Sequence, residues 1–451
     1  MENTRELAVN MLLEIVEKDR YSHLVIRDVL NKYDYMEGRD KAFVKRITEG
    51  TLERRLQIDY VLNRFSKVPV SKMKPFIRNL LRVSVYQLLF MDSVPDRAVC
   101  NEAVKLAGKR GFKNLQGFVN GVLRSIAREK ENIAYPNQEK EPTAYLSVQY
   151  SMPEWLVEKF LKERGEERTK KMLDGFLADS LVSIRLKENL PVKDREALLL
   201  RLTESGAAAQ RHPYLPYAFL LKNTEGIQNL PGFEEGLFAV QDVSSMLVCE
   251  AAGIKAGDQI IDVCAAPGGK ALHAAEKLNR TGFVSARDVT EYKAGLIRDN
   301  IDRMKLTNIE AVVLDACKMR EKDKETADVV LADLPCSGLG IMGKKKDIKY
   351  HASPEGLYEL QSLQREILNT VWQYVKPGGV LIYSTCTVNP GENEENVRWF
   401  LANYPFVAES LSPYLPEPLQ EEGKSGMLQL LPGIHETDGF FIARLRRKEK
   451  A

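Results

Sequence analysis

Apolar side chains recur three and four residues apart through the first 130 residues, as they do along the buried face of a helix. The clearest groups are Leu7, Met11 and Ile15; Phe43 and Ile47; Ile77, Leu80, Leu81 and Leu88; Val99, Ala103 and Leu106; and Phe118, Val122 and Ile126. Turn signals such as Val94-Pro95 and Lys109-Arg110-Gly111 separate the groups. The pattern predicts an all-α helical bundle domain over residues 1–135.

The pattern changes after a polar stretch at 134–142, which indicates a linker. Val182–Leu186 alternates between apolar and polar residues as a strand does, whereas 155–161 and 195–202 have helical spacing. This mixture predicts a small α/β connecting domain over residues 145–235.

Strand-like and helix-like segments alternate over the rest of the chain. We predict strands at 259–264, 282–287, 309–314, 328–333, 379–385 and 439–445, with helices between them, for example at 291–304 and 356–375. Such alternation is typical of a parallel, doubly wound sheet. We therefore predict an α/β Rossmann-like domain over residues 236–451.

Charge is distributed unevenly, although the formal net charge of the 451 residues is only +2. Residues 1–141 hold 26 Lys or Arg against 19 Asp or Glu, and the remainder holds 39 against 44. A basic first part indicates either a polyanionic partner or an ordinary solvated helical surface.

The cysteines carry neither a metal nor a disulfide signature. They are Cys100, Cys249, Cys264, Cys317, Cys336 and Cys386. No pair has Cys-x-x-Cys spacing, so we expect no metal site and free thiols in a reducing compartment. The polar N-terminus does not resemble a signal peptide, and no apolar run reaches membrane-spanning length. We expect a cytoplasmic protein with no membrane partner. We also expect a monomer, because no coiled-coil or repeat pattern is present.

A glycine-containing turn follows the first predicted strand of the last domain. Its residues are Cys264, Ala265, Ala266, Pro267, Gly268, Gly269 and Lys270. Glycine lets a ligand approach the backbone closely, and a helix start behind the turn offers free N–H groups. The turn is not a phosphate-binding Gly-x-x-x-x-Gly-Lys-Ser/Thr loop, because Ala271 follows Lys270.

Acidic residues follow the next three predicted strands, at Asp288, Asp315 and Asp333. Carboxylates there point into the crevice where open α/β sheets bind ligands. Asp288 could hold two ribose hydroxyls, and Asp315 could accept from an adenine amino group. Because no phosphate-cradling loop is evident, a nucleoside without phosphates is favoured, and S-adenosylmethionine fits as the cofactor.

Two thiols also lie at predicted strand ends, Cys336 and Cys386. A thiolate that adds to carbon 6 of cytosine lets carbon 5 attack a methylsulfonium. An ordinary thiol is mostly protonated at neutral pH, so the site must lower its pKa or remove its proton. A carboxyl group facing ring nitrogen 3 would relieve charge during attack, and Asp333 is placed for this. Lys270 could orient Asp333 or the methionine end of the cofactor.

These segments resemble the RNA 5-methylcytosine methyltransferase family. The matching residues are Val240–Ser245, Cys264–Lys270, Asp333–Gly338, Ser384–Thr387 and Asn389–Glu394. Within that family the chain is most similar to the RsmB (Sun) type, which modifies a cytosine in 16S ribosomal RNA.

The resemblance implies a role for each site residue. Cys386 would be the nucleophile, Cys336 the thiol that aids release, and Asp333 the acid facing the pyrimidine. The cofactor would contact residues 264–270 together with Asp288, Asp315 and Asp333.

The first 135 residues resemble the NusB-type RNA-binding helical domain, through Val94-Pro95, Asn101–Val104 and Gly117–Arg124. The resemblance implies 16S ribosomal RNA, free or at an early stage of assembly, as the partner. Candidate RNA contacts are Arg46, Arg54, Arg55, Arg78, Lys109, Arg110 and Arg124. Two positions depart from the family pattern: Leu334, where Ala is common, and Lys346, where Pro is usual.

Other interpretations stay open from the sequence. A DNA cytosine-5 methyltransferase would use the Pro335-Cys336 thiol as nucleophile, which Cys386 and the helical first domain disfavour. A tRNA or another ribosomal cytosine could be the substrate. A NusB-like domain can also serve a non-catalytic RNA-binding factor, which the two thiols and the strand-end acids disfavour. A small-molecule methyltransferase would leave the basic first domain unexplained.

Overall fold

The computed structural model describes residues 3–179, 181–222 and 226–449. The chain divides into two compact units, Met1–Leu177 with Lys344–His351, and Ala178–Gly343 with Ala352–Ala451. Within the described residues, no helix is both long enough and apolar enough to cross a membrane.

The first unit is helical. Its helices are α1 Thr4–Leu12, α2 Ser22–Lys32, α3 Gly38–Glu53, α4 Arg55–Phe65, α5 Pro75–Phe90, α6 Asp96–Lys109, α7 Gln116–Glu129, α8 Pro142–Tyr150 and α9 Glu154–Leu177. Helix α5 starts at a proline, whose missing N–H costs nothing in a first turn. It is apolar on most sides and is buried among α1, α3, α4, α6 and α7. The bundle predicted from the apolar spacing is confirmed.

A small antiparallel sheet begins the second unit. Its elements are β1 Val182–Leu186, α10 Val192–Glu204, β2 Ala208–Arg211, β3 Ala218–Lys222 and β4 Phe238–Val240. The strands lie in the order β2-β3-β1-β4, and α10 packs on them through Leu198 and Leu202. The α/β character expected here is present. Helix α9, which falls within 145–235, is part of the helical unit.

A larger sheet with helices follows. Its elements are α11 Val243–Ala252, β5 Gln259–Asp262, α12 Gly269–Lys277, β6 Phe283–Asp288, α13 Glu291–Met304, β7 Ile309–Val313, β8 Ala327–Asp333, α14 Ile348–His351, α15 Pro354–Val371, β9 Val375–Thr385, α16 Glu394–Asn403, β10 Phe406–Ala408, β11 Met427–Leu430 and β12 Phe440–Arg447. The strand order is β10-β12-β9-β8-β5-β6-β7, with β11 also paired to β12.

The sheet is parallel from β5 to β9 and antiparallel at its last strands. Strands β11 and β12 are joined by residues 431–439, too few for the crossover that a parallel pair needs. One face packs on α11 and α12, and the other on α15 and α16. The chain runs outward from β5 to β7 and then returns to β8 beside β5. The carboxyl ends of β5 and β8 therefore flank the switch point where such sheets bind ligands.

The segment Lys344–His351, which contains α14, belongs to the helical unit although its chain neighbours do not. The carboxylate of Asp347 accepts the Ser22 N–H at 2.7 Å, at the start of α2. Lys346, the departure from the family pattern, forms an ion pair with Glu53. This lysine therefore holds the segment inside the helical unit.

Candidate active site

The predicted cofactor turn lies between β5 and α12. Gly268 has φ +111°, a conformation that side-chain-bearing residues rarely adopt, which explains a glycine at that position. The turn is fixed to the neighbouring strand, because Ala265 N donates to Arg287 O at 2.8 Å and Ala266 N donates to the Asp288 carboxylate at 3.0 Å. The backbone of the turn and Asp288 are thus held as one rigid group.

Two of the three predicted acids are the last residues of their strands. Asp288 ends β6, is buried, and lies 3.1 Å from Lys293 Nζ. Asp333 ends β8. Asp315 lies two residues beyond β7, which ends at Val313, and it accepts the Cys317 N–H at 3.0 Å. The prediction that Asp315 ends its strand was therefore wrong by two residues. The strand stops at Val313, and Asp315 instead accepts a hydrogen bond within the turn that follows.

Lys270 and Asp333 form an ion pair of 2.7 Å at the switch point. Ser384 Oγ donates to the other oxygen of Asp333 at 2.8 Å, and Lys270 also donates to Ser245 Oγ at 3.2 Å. Burial lowers the pKa of Lys270, but the Asp333 carboxylate outweighs burial and raises it overall. Lys270 is therefore charged, and it orients Asp333.

Asp262, the last residue of β5, lies beside these groups but was not among the predicted site residues. Its side chain is 1% exposed, and no hydrogen bond of good geometry reaches either oxygen among the described residues. Burial, with the nearby Asp333 charge, raises the pKa of Asp262 to about 7. A buried carboxyl group with so little hydrogen bonding suits a cationic neighbour. The signal was available, since Asp262 is a fourth acid at a strand end.

The two thiols meet: the Sγ atoms of Cys336 and Cys386 lie 3.1 Å apart. The hydrogen bond to Cys386, together with burial, raises the pKa of Cys336 well above the ordinary thiol value. Cys336 therefore keeps its proton and can donate it towards the Cys386 sulfur. Cys100 and Cys249 are buried, as expected for structural cysteines, and the Cys249 thiol donates to the carbonyl of Lys270 at 3.3 Å.

Backbone contacts hold the two thiol segments together. Leu334 N donates to Ser384 O at 3.1 Å, and Gly340 N donates to Cys386 O at 3.0 Å. Gly340 packs so tightly that a Cβ there would lie 1.9 Å from Gly439 O. Leu334, the second departure from the family pattern, is 3% exposed in the core under the sheet. The larger side chain is therefore accommodated by packing.

Residues 252–446 match the family of the 16S rRNA methyltransferase RsmB/F, and residues 2–128 match the NusB family. The chain is 36% identical to the probable ribosomal RNA small subunit methyltransferase B of Bacillus subtilis strain 168. The 450 aligned residues cover 99% of this chain and 99% of that protein. The chain belongs to the RsmB/F family.

Two further comparisons extend over the whole chain. The ribosomal RNA small subunit methyltransferase B of Klebsiella pneumoniae subsp. pneumoniae is 30% identical over 449 residues, 99% of this chain and 98% of that protein. The crystal structure of PH0851 matches with a TM-score of 0.81 and 28% identity, over 100% of this chain and 99% of the other. Family membership confirms the resemblance, the fold class and the enzyme class of an S-adenosylmethionine-dependent methyltransferase.

In this RsmB/F-family protein, several basic residues predicted to contact RNA are already engaged. Arg78 pairs with Glu17, the Arg55 guanidinium lies 3.5 Å from the ring centre of Tyr350, and Lys109 and Arg110 pair with Glu6. Arg54 donates to Gln149 O at 3.3 Å. Arg124 is exposed and donates to Asn120 at 3.0 Å. Arg78 and Arg55 are therefore better explained as supports of the bundle.

A group of possible metal ligands lies away from the thiols, among the residues that the structure describes. It comprises Glu188, Glu250 and His273. The ammonium of Lys277 lies 2.8 Å from both carboxylates, so each already has a cationic partner.

Proposed function

We propose that this RsmB/F-family enzyme methylates carbon 5 of a cytosine in 16S ribosomal RNA through a covalent Cys386–cytosine adduct. The supporting observation is the 3.1 Å approach of Cys336 to Cys386 beside the Lys270–Asp333 pair. The curated relatives, named as small-subunit ribosomal RNA methyltransferases, support the substrate class. We further propose a monomer acting on free or early-assembly RNA, with a helical RNA-binding domain at 1–135, a connecting domain at 145–235 and a catalytic domain at 236–451.

The first step is the attack of Cys386 on the base. Its sulfur bonds to carbon 6 as the thiol proton passes to ring nitrogen 3, and the electron pair of the ring double bond moves to carbon 5. The Asp333 carboxylate, oriented by Lys270 and Ser384, faces ring nitrogen 3 and accepts a hydrogen bond from the N–H formed there, which stabilises the protonated ring. The target base must leave its stack to reach these groups, so a single-stranded or looped RNA segment is expected.

The cofactor proposed for this site, S-adenosylmethionine, supplies an electrophilic methyl group when it is bound. Asp288 would hold the ribose hydroxyls, Asp315 the adenine amino group and Asp262 the α-ammonium, with the 264–270 turn against the nucleoside. That methyl group would pass to carbon 5 of the base, and the sulfonium sulfur would keep the bonding electron pair as a neutral thioether.

Release restores the base. Carbon 5 and ring nitrogen 3 lose their protons to water, the ring double bond re-forms, and the bond between carbon 6 and the Cys386 sulfur breaks. Cys386 then leaves as a thiolate. Cys336, which keeps its proton and lies 3.1 Å away, donates a hydrogen bond to that thiolate. We therefore assign the aid to release to Cys336.

Methyl transfer from labelled S-adenosylmethionine to small-subunit ribosomal RNA tests these roles. The wild type should yield 5-methylcytosine, Cys386→Ala should be inactive, and Cys336→Ala should accumulate a protein–RNA adduct stable to denaturation. Cys100→Ala, a buried cysteine in α6 of the helical unit, is the matched control for loss of a thiol.

The opposite results would change the mechanism or the substrate. If Cys386→Ala still methylates and Cys336→Ala does not, the nucleophile is Cys336, as in the DNA enzymes. If the wild type leaves ribosomal RNA unlabelled, the substrate assignment fails, and tRNA is the next substrate to assay.

A further inference from the structure

Glu392 is a buried acid close to both thiols that the proposed mechanism does not use. It ends a short 3₁₀ turn, Pro390–Glu392, and its side chain is fully buried. Burying a carboxylate is costly unless its oxygens accept hydrogen bonds. Here each oxygen accepts two. One accepts from Ser337 N at 2.9 Å and Gln364 Nε2 at 3.0 Å, and the other from Ser337 Oγ at 2.6 Å and Asn389 Nδ2 at 3.0 Å.

These hydrogen bonds fix the backbone on both sides of Cys336. The N–H of Ser337, the next residue, donates to Glu392. The carbonyl of Pro335, the preceding residue, accepts from Gln364 Nε2 at 2.9 Å. Gln364 is held in turn, because its carbonyl oxygen accepts from Asn396 Nδ2 at 2.8 Å. The Cys336 loop is therefore anchored to a buried pair, Glu392 and Gln364.

A chain of hydroxyls connects this anchor to the Cys386 segment. Because a carboxylate oxygen only accepts, the Ser337 hydroxyl donates to Glu392. The Thr387 hydroxyl lies 2.7 Å from Ser337 Oγ and must then donate to it, while accepting from Asn389 N at 3.2 Å. Thr387 directly follows Cys386. Glu392 thus sets both the position of the Cys336 loop and the direction of its link to the nucleophile.

We propose that Glu392 is a positioning residue for product release, which aims the Cys336 thiol at the Cys386 sulfur. This inference rests on the proposed function, which assigns release to Cys336. Cys386 itself follows β9, whose backbone is paired on both sides by β8 and β12. Attack and methyl transfer therefore depend less on Glu392 than release does, because the nucleophile has its own support.

Glu392→Gln tests the inference. The glutamine side chain has the same size as that of glutamate. Its NH2 group, however, would face hydrogen-bond donors and cannot accept from them, so the Cys336 loop loses part of its anchor. We expect single-turnover methyl transfer close to the wild-type rate. Multiple turnover should fall by about 100-fold, the scale expected for a displacement of about 1 Å. The covalent protein–RNA adduct should accumulate on a denaturing gel, as in Cys336→Ala.

Two comparisons make the test specific. Glu395→Gln, an exposed acid three residues further on, should behave as wild type. The double variant Glu392→Gln/Cys336→Ala should accumulate no more adduct than Cys336→Ala alone, because Glu392 acts through Cys336. If Glu392→Gln does not fold, Ser337→Ala removes only the hydroxyl link and should give a smaller accumulation of adduct.

The inference is overturned if the folded variants turn over normally, or if they lose single-turnover transfer without forming adduct. The proposed function is tested separately by the wild type and Cys336→Ala. If those two behave as expected and Glu392→Gln forms no adduct, only the role of Glu392 fails. If the wild type makes no 5-methylcytosine, the proposed function fails first.

Discussion

At the scale of single residues, the sequence indicates which side chains are chemically suited to the site but not how they are buried. Cys336, Cys386 and Asp333 were identifiable because thiols and acids at strand ends face a common crevice. Glu392 was not, since its importance comes from burial at 0% exposure, and the burial of Asp262, another strand-end acid, was equally hidden in the sequence. Burial of a charged residue depends on which distant segments pack over it, and no local spacing reveals that.

The buried Asp262 carboxylate lowers the free energy of unfolding in a pH-dependent way that can be measured. Its pKa is about 7 in the folded chain against an ordinary value of 3.8, so the folded state binds the extra proton between those two pH values. Stability therefore decreases as pH rises from about 4 to about 7 and then levels off, at a cost of at most about 4 kcal/mol. Asp262→Asn should remove most of this cost.

Urea unfolding is measured without cofactor by tryptophan fluorescence in a Trp155→Phe background. The signal then comes from Trp372 and Trp399, which both lie in the second unit. Asp262→Asn should be more stable than the parent at pH 8, and the difference should shrink towards pH 5. The same variant should bind S-adenosylmethionine more weakly in calorimetry. Equal stability at pH 8 would show that Asp262 is already neutralised in the folded chain.

At the scale of elements, strong periodicity predicted which helices and strands are present, whereas it predicted their first and last residues less well. The helix predicted at 291–304 is α13, and the predicted strands of the parallel sheet overlap β5 to β9. Strand β9 begins at Val375, earlier than the predicted 379, because Pro377 and the glycines after it masked the strand pattern. The placement of Lys344–His351 in the helical unit could not be predicted, since it depends on contacts with residues more than 290 positions away.

Asp347, in that segment, should act as a capping residue for α2. The residue before α2, Tyr21, offers no side-chain cap, and the Asp347 carboxylate accepts the Ser22 N–H instead. Burial raises the pKa of Asp347, but hydrogen bonds from His351 and Ser22 outweigh it and lower the pKa to about 2. Asp347→Ala should therefore destabilise the helical unit by about 1–2 kcal/mol at pH 7.

Because the lowered pKa belongs to an acid, the stabilisation is present above about pH 4 and is lost as pH falls towards 2. Hydrogen exchange of the first-turn amides of α2 measures the effect, and these amides should exchange faster in Asp347→Ala. Asp28→Ala, at a half-exposed position on α2, is the control. Unchanged exchange in Asp347→Ala would mean that the α2 terminus is held by packing alone.

At the scale of the whole molecule, the uneven charge left two explanations open for the first part of the chain, an anionic partner or an ordinary solvated surface. The structure divides those charges into two kinds. Arg78 is largely buried in an ion pair with Glu17, and Asn79 donates to the same carboxylate at 2.7 Å. Arg124 is exposed on α7. Net charge alone therefore overstates the number of residues that are free to meet RNA.

Substituting one arginine of each kind should give different effects on RNA binding and on stability. Arg124→Gln should weaken binding of 16S ribosomal RNA and reduce the slope of log affinity against log salt by about one, with unchanged thermal stability, because one phosphate contact is lost. Arg78→Gln should leave that slope unchanged and destabilise the helical unit by about 1–3 kcal/mol, because Glu17 keeps its charge but loses its cation. Titrations between 50 and 200 mM salt cover the range where this electrostatic effect is large. If Arg78→Gln changed the salt slope and not the stability, its pairing with Glu17 would have to open on RNA binding, and the charge imbalance would then measure the RNA-binding surface after all.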